Sequence, residues 1–589
     1  MKSKKIWGLL LSATMVVGML AGCGGGDDKP SDQGGNTGSN TGSENQGGDT
    51  NNGDGGEVVD NEGEEPVNTT PFYLTLDPEI SGSIDVMCWS GDSQYYSDLG
   101  HMDLSVDDLT TVNVAMVYAM AKKFNELYPN VKINLYAKTD DPDSNDTSWD
   151  QELENFRAEH GKYPDIYAAT MLPSDVSKGM VADLSLYADD PIYQSFNKPI
   201  MEAMNYYGFQ AGVPQFTQPW GVWVNKELAE DNNIEVPDYH WDLDDFTDFI
   251  TSANNNTFYG TIDTPISFIS TGTDVISAQM SEYDGTGDTV NLASDQVADL
   301  LSYIPTWAQY EIRTLHAQGA ITDAVMGDNW WWGYRFFCRN LVLAYAGDPW
   351  MMGAAALGRN EEGEFPQDSN IVECDDWDIY PRPATPYKGN TVGFCLDPMA
   401  VHNYAMDDGN PEWSDEEKAK MDISYAFVSY WCGSTEAMQA RADQMFSDNG
   451  NVRSCLNDSF PLVTGDAFDE QMAIWYSTKE HARYGDKDLM PGFQYVVQLW
   501  EEGEMWDVSD KAFPYYVMED GTRKECMYEW LQVTNSEVVG VGVTEASWLD
   551  TVKAVLPDWN TTINARFVEA NQNLVDGLKE FYGYTDADF

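Results

Sequence analysis

Apolar residues recur along the chain at spacings that predict strands alternating with helices. Apolar side chains occupy every second position of residues 84–88 and 131–136, which is typical of β-strands. Between them, residues 113–127 repeat apolar side chains at helical spacing, and a turn containing Pro129 ends the pattern. A third apolar run, residues 166–169, predicts another strand. This order of elements predicts parallel β-α-β units, and therefore an α/β fold with a sheet covered by helices.

Three later segments predict helices. Ser294 begins one that Pro305 bends. Residues 414–431 form the clearest pattern, because Ser414 and Glu417 are spaced as a capping box in front of an apolar face. Residues 564–582 predict a final helix near the end of the chain. No period of about 20 to 50 residues indicates a solenoid.

The N-terminus has the pattern of an export signal. A basic start precedes an apolar run at residues 6–20, which is too short for a bilayer core of about 30 Å. The run ends in Leu20-Ala21-Gly22-Cys23, which resembles the lipobox of bacterial lipoproteins, in which the cysteine is acylated. We therefore expect residues 1–22 to be a signal peptide and Cys23 to carry lipid. The alternative is an ordinary signal peptide followed by a chance cysteine.

The segment after the signal is expected to be a tether. Residues 23–80 begin with a stretch rich in Gly, Asp, Asn, Ser, Glu and Thr, which offers few apolar side chains to offset the entropy of ordering. About 50 such residues have a typical end-to-end distance of roughly 40 Å. The remaining chain is longer than one hydrophobic core usually serves, so two or more lobes are expected.

Charge and cysteine content exclude several classes of function. A formal net charge of -66 disfavours binding to nucleic acid or to an anionic lipid surface. The same charge would suit a cationic ligand such as a polyamine, so it does not identify the ligand. The cysteines after Cys23 contain no C-x-x-C pair, and the six histidines show no zinc-binding spacing. We therefore expect no cofactor and no metal.

One acidic segment has the spacing of a calcium loop. Its oxygen-bearing residues occupy positions 1, 3, 5, 7 and 12 of such a loop: Asp141, Asp143, Asn145, Thr147 and Glu152. Asp146 stands where the sharp turn of the loop needs glycine. So acidic a chain produces such spacings by chance, and a solvated loop is the default expectation.

Four segments resemble the extracellular solute-binding proteins of ABC importers, in their sugar-binding branch. They are Phe124 to Ile133 (FNELYPNVKI), Tyr163-Pro164-Asp165-Ile166 with Gly179 to Leu184 (GMVADL), Gly212-Val213-Pro214 with Val222 to Lys226 (VWVNK), and Ala344 to Trp350 (AYAGDPW). The resemblance covers most of residues 84–431 and weakens afterwards.

The resemblance implies a periplasmic-binding-protein-like fold. Two α/β lobes would be joined by three hinge crossings, with a solute cleft between them that closes by hinge motion. By analogy, residues 82–216 and 393–447 would form lobe one. Residues 217–392 and 448–589 would form lobe two.

The resemblance also implies residues that contact the solute. Trp350 stands where sugar-binding members have a tryptophan that stacks on sugar, and Asp92 stands where they have a carboxylate that accepts sugar hydroxyls. Gln218 occupies the position of a sugar-contacting glutamate, with the charge lost. Ala169 replaces a stacking tryptophan and Ser93 a lysine, so the pose of the ligand is expected to differ.

Further aromatic residues are candidates because a sugar offers flat C–H faces that stack on aromatic planes. Most tryptophans are core residues, which is the alternative for each of these. The candidates near predicted strand ends or loops, and in the weakly matched region, are Trp89, Trp220, Trp331, Trp332, Phe493 and Tyr495.

These observations favour a lipid-anchored receptor at the extracellular face of the cell membrane. It would capture an oligosaccharide and deliver it to ABC permease subunits, and we expect a monomer that is not an enzyme and has no nucleic-acid partner. The chain shows no P-loop, so a separate ATPase would drive transport. Two alternatives stay open: a secreted glycoside hydrolase with two working carboxylates, and a receptor for a polyamine, peptide or metal chelate.

Overall fold

A computed structural model gives the fold of the chain. It describes residues 69–90, 94–139, 149–215, 217–262, 267–276, 279–327, 333–346, 352–359, 363–365, 371–410, 413–448, 451–456, 459–507, 515–517, 523–525, 543 and 546–589. None of the described helices is both long and apolar enough to cross a membrane.

Short strands are distributed over most of the described chain. They are β1 (Gly82–Ser90), β2 (Gln94–Tyr96), β3 (Val131–Thr139), β4 (Ile166–Ala168), β5 (Asn205–Tyr206), β6 (Phe209–Gln210), β7 (Val213–Pro214), β8 (Val222–Asn225), β9 (Ala344–Tyr345), β10 (Trp377–Tyr380), β11 (Val392–Phe394), β12 (Pro398–Val401), β13 (Met445–Asp448), β14 (Asn451–Ser454), β15 (Met505–Asp507), β16 (Tyr515–Val517) and β17 (Arg523–Glu525).

Helices of very different length lie between these strands. The described α-helices are Val112–Leu127, Trp149–His160, Leu172–Ser177, Pro191–Ser195, Lys198–Glu202, Lys226–Asp231, Leu243–Thr251, Ser267–Thr271, Asp295–Leu301, Ile304–Trp307, Ile312–Ala317, Asp323–Met326, Tyr334–Cys338, Met352–Ala355, Ala405–Asp408, Asp415–Gly433, Thr435–Asp443, Asp466–Ser477, Pro491–Glu502 and Trp548–Tyr582. The described 3₁₀ helices are Phe72–Leu74, Leu99–His101, Leu184–Tyr187, Met280–Glu282, Ala308–Tyr310 and Ala482–Gly485.

Lobe one is built on a sheet whose described strands follow the order β2-β3-β1-β4-β12-β7. Strand β1 runs parallel to β3 and to β4, which confirms the predicted β-α-β units. The helices Val112–Leu127 and Asp415–Gly433 pack on β1, and the rings of Phe124 and Phe427 meet at 5.3 Å between them. A sheet covered by helices is therefore confirmed for this lobe.

The predicted capping box is present at the start of the helix Asp415–Gly433. The backbone N–H of Glu417 donates to the hydroxyl of Ser414 at 3.2 Å, and the backbone N–H of Ser414 donates to the Glu417 carboxylate at 2.6 Å. These bonds satisfy two donors that a helix N-terminus otherwise leaves without partners.

The pattern around Ser294 predicts one bent helix, and the structure has two. The first helix, Asp295–Leu301, has Ser294 as its cap, and the second, Ile304–Trp307, contains Pro305 in its first turn. Proline is tolerated in a first turn because its missing N–H has no helical partner there. The helix is therefore interrupted between Leu301 and Ile304.

Lobe two has a smaller sheet of order β10-β8-β9 among the described strands. Strand β8 is antiparallel to both of its neighbours. The rings of Trp223 on β8 and Trp377 on β10 stack at 5.0 Å, and both side chains are buried. These two tryptophans therefore belong to the core of lobe two.

Among the described residues, three segments of chain run side by side between the lobes. The first segment, residues 215–220, pairs with the second, residues 393–397. The backbone N–H of Gln215 donates to the carbonyl oxygen of Asp397 at 2.7 Å, and that of Trp220 donates to the carbonyl oxygen of Gly393 at 2.6 Å. The third segment contains Phe460, whose backbone N–H donates to the carbonyl oxygen of Thr217 in the first segment at 3.2 Å. These segments are the predicted hinge crossings.

The residues after 448, which the resemblance assigns to lobe two, also contact lobe one. Gln471 donates to the carbonyl oxygen of Gly433 in lobe one, at 2.9 Å. The last helix begins at Trp548 rather than at residue 564, and it continues through Pro557 because Val552 and Leu556 are buried on the same side as its later apolar residues. The assignment of residues 448–589 to lobe two stays a prediction.

Candidate functional site at the lobe crossings

The candidate site lies at one edge of the lobe-one sheet. Strands β1 and β4 are parallel, β12 is antiparallel to β4, and β7 is antiparallel to β12. Strands β1, β4 and β7 therefore point the same way and end at Ser90, Ala168 and Pro214. The first crossing to lobe two begins directly after Pro214. Open α/β sheets bind ligands at the carboxyl ends of their strands, so this edge is where a ligand would lie.

Two glutamines on the first crossing carry buried amide atoms without partners among the described residues. Gln215 is 1% exposed, and neither its Oε1 nor its Nε2 has a hydrogen-bond partner there. Gln218 is 5% exposed, and its Oε1 also has none. Leaving a buried polar group unsatisfied costs about 1–3 kcal/mol. The crossing therefore holds three amide atoms that a hydroxylated ligand would satisfy.

Trp220 follows two residues after Gln218 on the same crossing. Its backbone exchanges two hydrogen bonds with Gly393, of 2.6 and 3.0 Å, which hold the first crossing against the second. The side chain is buried and packs against Cys395, apart from the main hydrophobic core. Aromatic side chains and unpartnered amides are the kinds of group that recognise a sugar.

The third crossing is anchored by a buried arginine. Arg441 donates to the hydroxyl of Ser459 at 2.9 Å and to the carbonyl oxygen of Ala437 at 3.2 Å. Complete burial lowers the pKa of its guanidinium, although the group stays charged. Arg441 therefore fixes the position of the third crossing relative to the helix Thr435–Asp443.

Solved structures share this arrangement of two lobes. The structure is similar to a cyclic alpha-maltosyl-1,6-maltose binding protein from Arthrobacter globiformis, with a TM-score of 0.50 and 14% identity over 83% of this chain and 100% of that chain. The chain has the two-lobe fold of the solute-binding proteins. This confirms the expected α/β architecture, with three crossings and a cleft between the lobes.

Other comparisons give weaker likenesses to solute-binding proteins. An ABC substrate-binding protein from Listeria monocytogenes in complex with cycloalternan has a TM-score of 0.44 and 14% identity, over 86% of this chain and 100% of that chain. A sugar transporter from Rhizobium etli in an open conformation has a TM-score of 0.48 and 13% identity, over 84% and 99%. No protein-family model and no curated protein sequence matches the chain.

Two of the predicted site residues lie on the helix Pro491–Glu502 and face different surroundings. Phe493 is fully buried against the rings of Tyr484 and Trp475, with centroids 5.1 and 6.1 Å away, so it is a core residue in this solute-binding fold. Tyr495 is half-buried and lines a cavity between the lobes that contains neither Gln215 nor Gln218. Positions two apart on a helix point in different directions, so the two residues do not form one site.

A buried carboxylate holds this helix on lobe two. Asp378 on β10 accepts hydrogen bonds from the backbone N–H groups of Gly492 at 2.9 Å and Phe493 at 3.1 Å. Burial raises the pKa of Asp378 to about 6, against the lowering effect of these bonds and of the charge on Lys226. The carboxylate faces the N-terminus of the helix, where negative charge is favourable.

Several predicted site residues lie outside the described residues. They are Cys23, Asp92, Trp331, Trp332 and Trp350, together with residues 141–147 of the calcium-loop pattern. Trp89 lies in β1 opposite Lys138, and its side chain is likewise outside the described residues. Within the described part of the chain, no group of three or more His, Cys, Asp or Glu residues is placed to hold a metal ion.

Gln215 is the residue of the site that sequence reasoning missed. It follows Pro214 directly at the end of β7, and a polar residue just after a strand of the sheet is the signal that could have identified it. Its importance depends on burial, because an exposed glutamine at the same position would bind water.

Proposed function

We propose that this protein is the substrate-binding protein of an ABC importer and captures an oligosaccharide in the cleft between its lobes. The observation that carries the proposal is the set of unpartnered amide atoms on Gln215 and Gln218, buried at the hinge of a solute-binding fold. Amides supply hydrogen bonds without charge, which suits the hydroxyl groups of a neutral sugar. A polyamine would instead favour carboxylates at these positions.

The comparison supports a sugar as the solute. The Arthrobacter globiformis protein of the same fold is a cyclic alpha-maltosyl-1,6-maltose binding protein. Trp220 adds an aromatic side chain on the same crossing as the two glutamines, and the sequence resemblance adds Trp350 and Asp92. A stacked ring and bidentate polar groups together recognise both the faces and the rim of a pyranose.

Hinge closure would be the mechanism. The solute contacts groups on the crossings and on both lobes only in the closed form, so closure is favoured by the solute's extra affinity for that form. A shift from 1% to 99% closed requires about 10⁴-fold tighter binding to the closed form, or about 5.5 kcal/mol. We propose a binding protein rather than an enzyme, because the solved structure of the same fold is a binding protein.

The N-terminal pattern supports a location at the extracellular face of the cell membrane. Acylated Cys23 would anchor the mature chain, and the acidic tether would keep the lobes within reach of the permease. We propose that it delivers the solute to ABC permease subunits and that a separate ATPase drives transport, since the sequence shows no P-loop. We propose that it acts as a monomer.

Calorimetry against a panel of neutral oligosaccharides tests the proposal. We expect binding that barely responds to salt, and roughly tenfold weaker binding in Gln215→Ala and Gln218→Ala, since each loses a buried amide hydrogen bond. Gln572→Ala is the matched control, because Gln572 is exposed on the last helix. Absence of oligosaccharide binding, together with binding of spermidine that weakens steeply with salt, would indicate a cationic ligand instead. Release of reducing sugar from a glucan would indicate a glycoside hydrolase.

A further inference from the structure

The last helix joins the two lobes along a path of its own, apart from the crossings. It runs from Trp548 to Tyr582 and contacts lobe two near its middle and lobe one at its end. Its internal proline, Pro557, lies before both sets of contacts. Sharp bends in helices occur mostly at proline, so the part of the helix between the two sets of contacts is a continuous rod.

Two asparagine side chains bind this rod to lobe two, and we call them the asparagine pair. Asn564 donates through Nδ2 to the carbonyl oxygen of Val290 at 2.7 Å, and its Oδ1 accepts from the backbone N–H of Val290 at 2.9 Å. The Oδ1 of Asn560 accepts from the backbone N–H of Leu292 at 2.7 Å. The contact therefore consists of three hydrogen bonds between amide side chains and backbone.

The segment that the asparagine pair holds is part of lobe two. Val290 forms an antiparallel bridge with Ile276. Shortly before Ile276 in the chain, the carbonyl oxygen of Gly272 accepts a hydrogen bond of 2.7 Å from Oγ1 of Thr385, which follows β10. Residues 290–292 are therefore tied to the sheet of lobe two and move with it.

The far end of the rod is packed on lobe one through aromatic side chains. The rings of Phe209 and Tyr582 meet at 4.5 Å, and the hydroxyl of Tyr207 donates to Oδ1 of Asn571 at 2.6 Å. Tyr207 and Phe209 belong to the β5–β6 hairpin, which leads directly into β7 of the lobe-one sheet. Tyr207 has a φ of 56°, which a tyrosine rarely adopts and keeps only where its surroundings hold it. This end is thus a firm anchor.

A rotation of one lobe against the other must break contacts at one end of the rod. A hydrogen bond is lost once its N···O distance exceeds about 3.5 Å, so a shift of about 1 Å is enough. At the lobe-two end the rings of Phe567 and Tyr283 lie 6.5 Å apart, farther than the rings at the lobe-one end. Residues 284–288 beside the asparagine pair are mostly exposed, so water is able to satisfy the amides when they separate. The lobe-two contact is therefore the one that gives way.

We propose that the asparagine pair is a latch that holds the lobes at their present angle and opens when the lobes rotate. The latch rests on the proposed function, since hinge movement around a solute is the rotation that would open it. A ligand that favours a different angle must supply the free energy that opens the latch. The latch thus limits how often the ligand-free protein adopts that angle, and it regulates the solute site in this way.

Distances between the lobes of the ligand-free, full-length protein test the latch. Spin labels carried by unnatural amino acids at Lys132 and Asp248, which are exposed on lobes one and two, would report the distance by electron paramagnetic resonance. Such labels leave the native cysteines of the chain unmodified. No solute is present, so the result does not depend on whether the protein binds an oligosaccharide. Failure of the latch and failure of the proposed function are therefore distinguishable.

Asn560→Ala together with Asn564→Ala should broaden the distribution of distances, because the lobes lose the latch. Thr561→Ala together with Gln572→Ala is the matched control, since both side chains are exposed and their hydrogen bonds lie within the helix. The control should keep the width of the wild-type distribution. An unchanged distribution without the asparagine pair would overturn the proposal, even if the variant were less stable. Equal broadening in the control would overturn it as well.

Hydrogen exchange of the wild-type protein is a second test that needs no variant, so a folding defect would not hide the result. The latch covers the backbone N–H groups of Val290 and Leu292, and each opening exposes both. We expect peptides with residues 290–292 to exchange at least roughly tenfold faster than peptides with residues 398–401, which form β12 inside the lobe-one sheet. Equally slow exchange would mean that the contact opens only on global unfolding, and the asparagine pair would then not be a latch.

Discussion

The hydroxyl of Tyr582 donates a hydrogen bond of 2.7 Å to the carbonyl oxygen of Val181, which holds the end of the last helix on lobe one. The same helix binds lobe two through Asn564, whose Nδ2 donates to the carbonyl oxygen of Val290 at 2.7 Å. Its 35 residues span about 50 Å at 1.5 Å per residue. The lobes are therefore linked by this helix as well as by the crossings.

Gly577→Ala should destabilise the protein. A Cβ at Gly577 would lie 2.5 Å from the Cα and the carbonyl oxygen of Ser177. These are backbone atoms, so relieving the clash requires a shift of the backbone, which costs free energy of folding. We expect a loss of about 1–3 kcal/mol in the free energy of unfolding, measured with urea, although alanine is the better helix former. Gly389→Ala is the control, because nothing lies within 4 Å of its added Cβ. Equal stability of the two variants would contradict the close packing of the last helix on lobe one.

Ser414→Ala should remove the capping box. The backbone N–H of Glu417 loses its acceptor, and the expected loss of stability is about 1 kcal/mol in a urea titration. Ser414→Asp should recover most of this loss, since aspartate is also a good N-cap and its charge is favourable at a helix N-terminus. If Ser414→Ala unfolded at the same urea concentration as the wild type, the cap would have no energetic role.

Lys388 should make the stability of the protein depend on pH in the neutral range. Its pKa is about 6 in the folded chain, against an ordinary value of 10.5, so the unfolded chain binds more protons between these two values. Stability therefore rises as pH rises through this window, by up to about 1.4 kcal/mol per pH unit.

Urea titrations between about pH 6.5 and about pH 7.5 check this, because the cysteines of the unfolded chain begin to ionise as the pH approaches their ordinary pKa of about 8.5. The curve for Lys388→Met should be flatter than that of the wild type, whereas the curve for Lys198→Met should follow the wild type, since Lys198 is exposed. Parallel curves for wild type and Lys388→Met would contradict the lowered pKa.

Trp350→Ala tests the stacking residue that the sequence resemblance implies. If Trp350 stacks on sugar, its removal should weaken oligosaccharide binding by about 2 kcal/mol in calorimetry. Trp559→Ala is the matched control, because Trp559 lies on the last helix and packs against the core there. A folded Trp350→Ala variant with unchanged affinity would remove this residue from the site.

Local pattern determined much of the fold. Period-two alternation identified residues 84–88 and 131–136 as strands, and helical spacing with a capping box identified the helix Asp415–Gly433 almost to its ends. These elements depend on neighbours a few positions away, so their signals are present in the sequence. Four short segments were enough to imply the two lobes, since each marks where the chain enters or leaves a strand.

Tertiary structure decided which polar and aromatic residues are buried and which line a cavity. Phe493 and Tyr495 looked equivalent in the sequence, yet one lies in the core and the other lines a cavity. Gln215 carried only the local signal of a polar residue just after a strand, and the burial of Lys388 carried none. Their chemistry depends on burial, because a polar group needs a partner only where water is excluded. Residues distant in the chain create that exclusion, so the sequence alone determined the elements, and only their packing decided the sites.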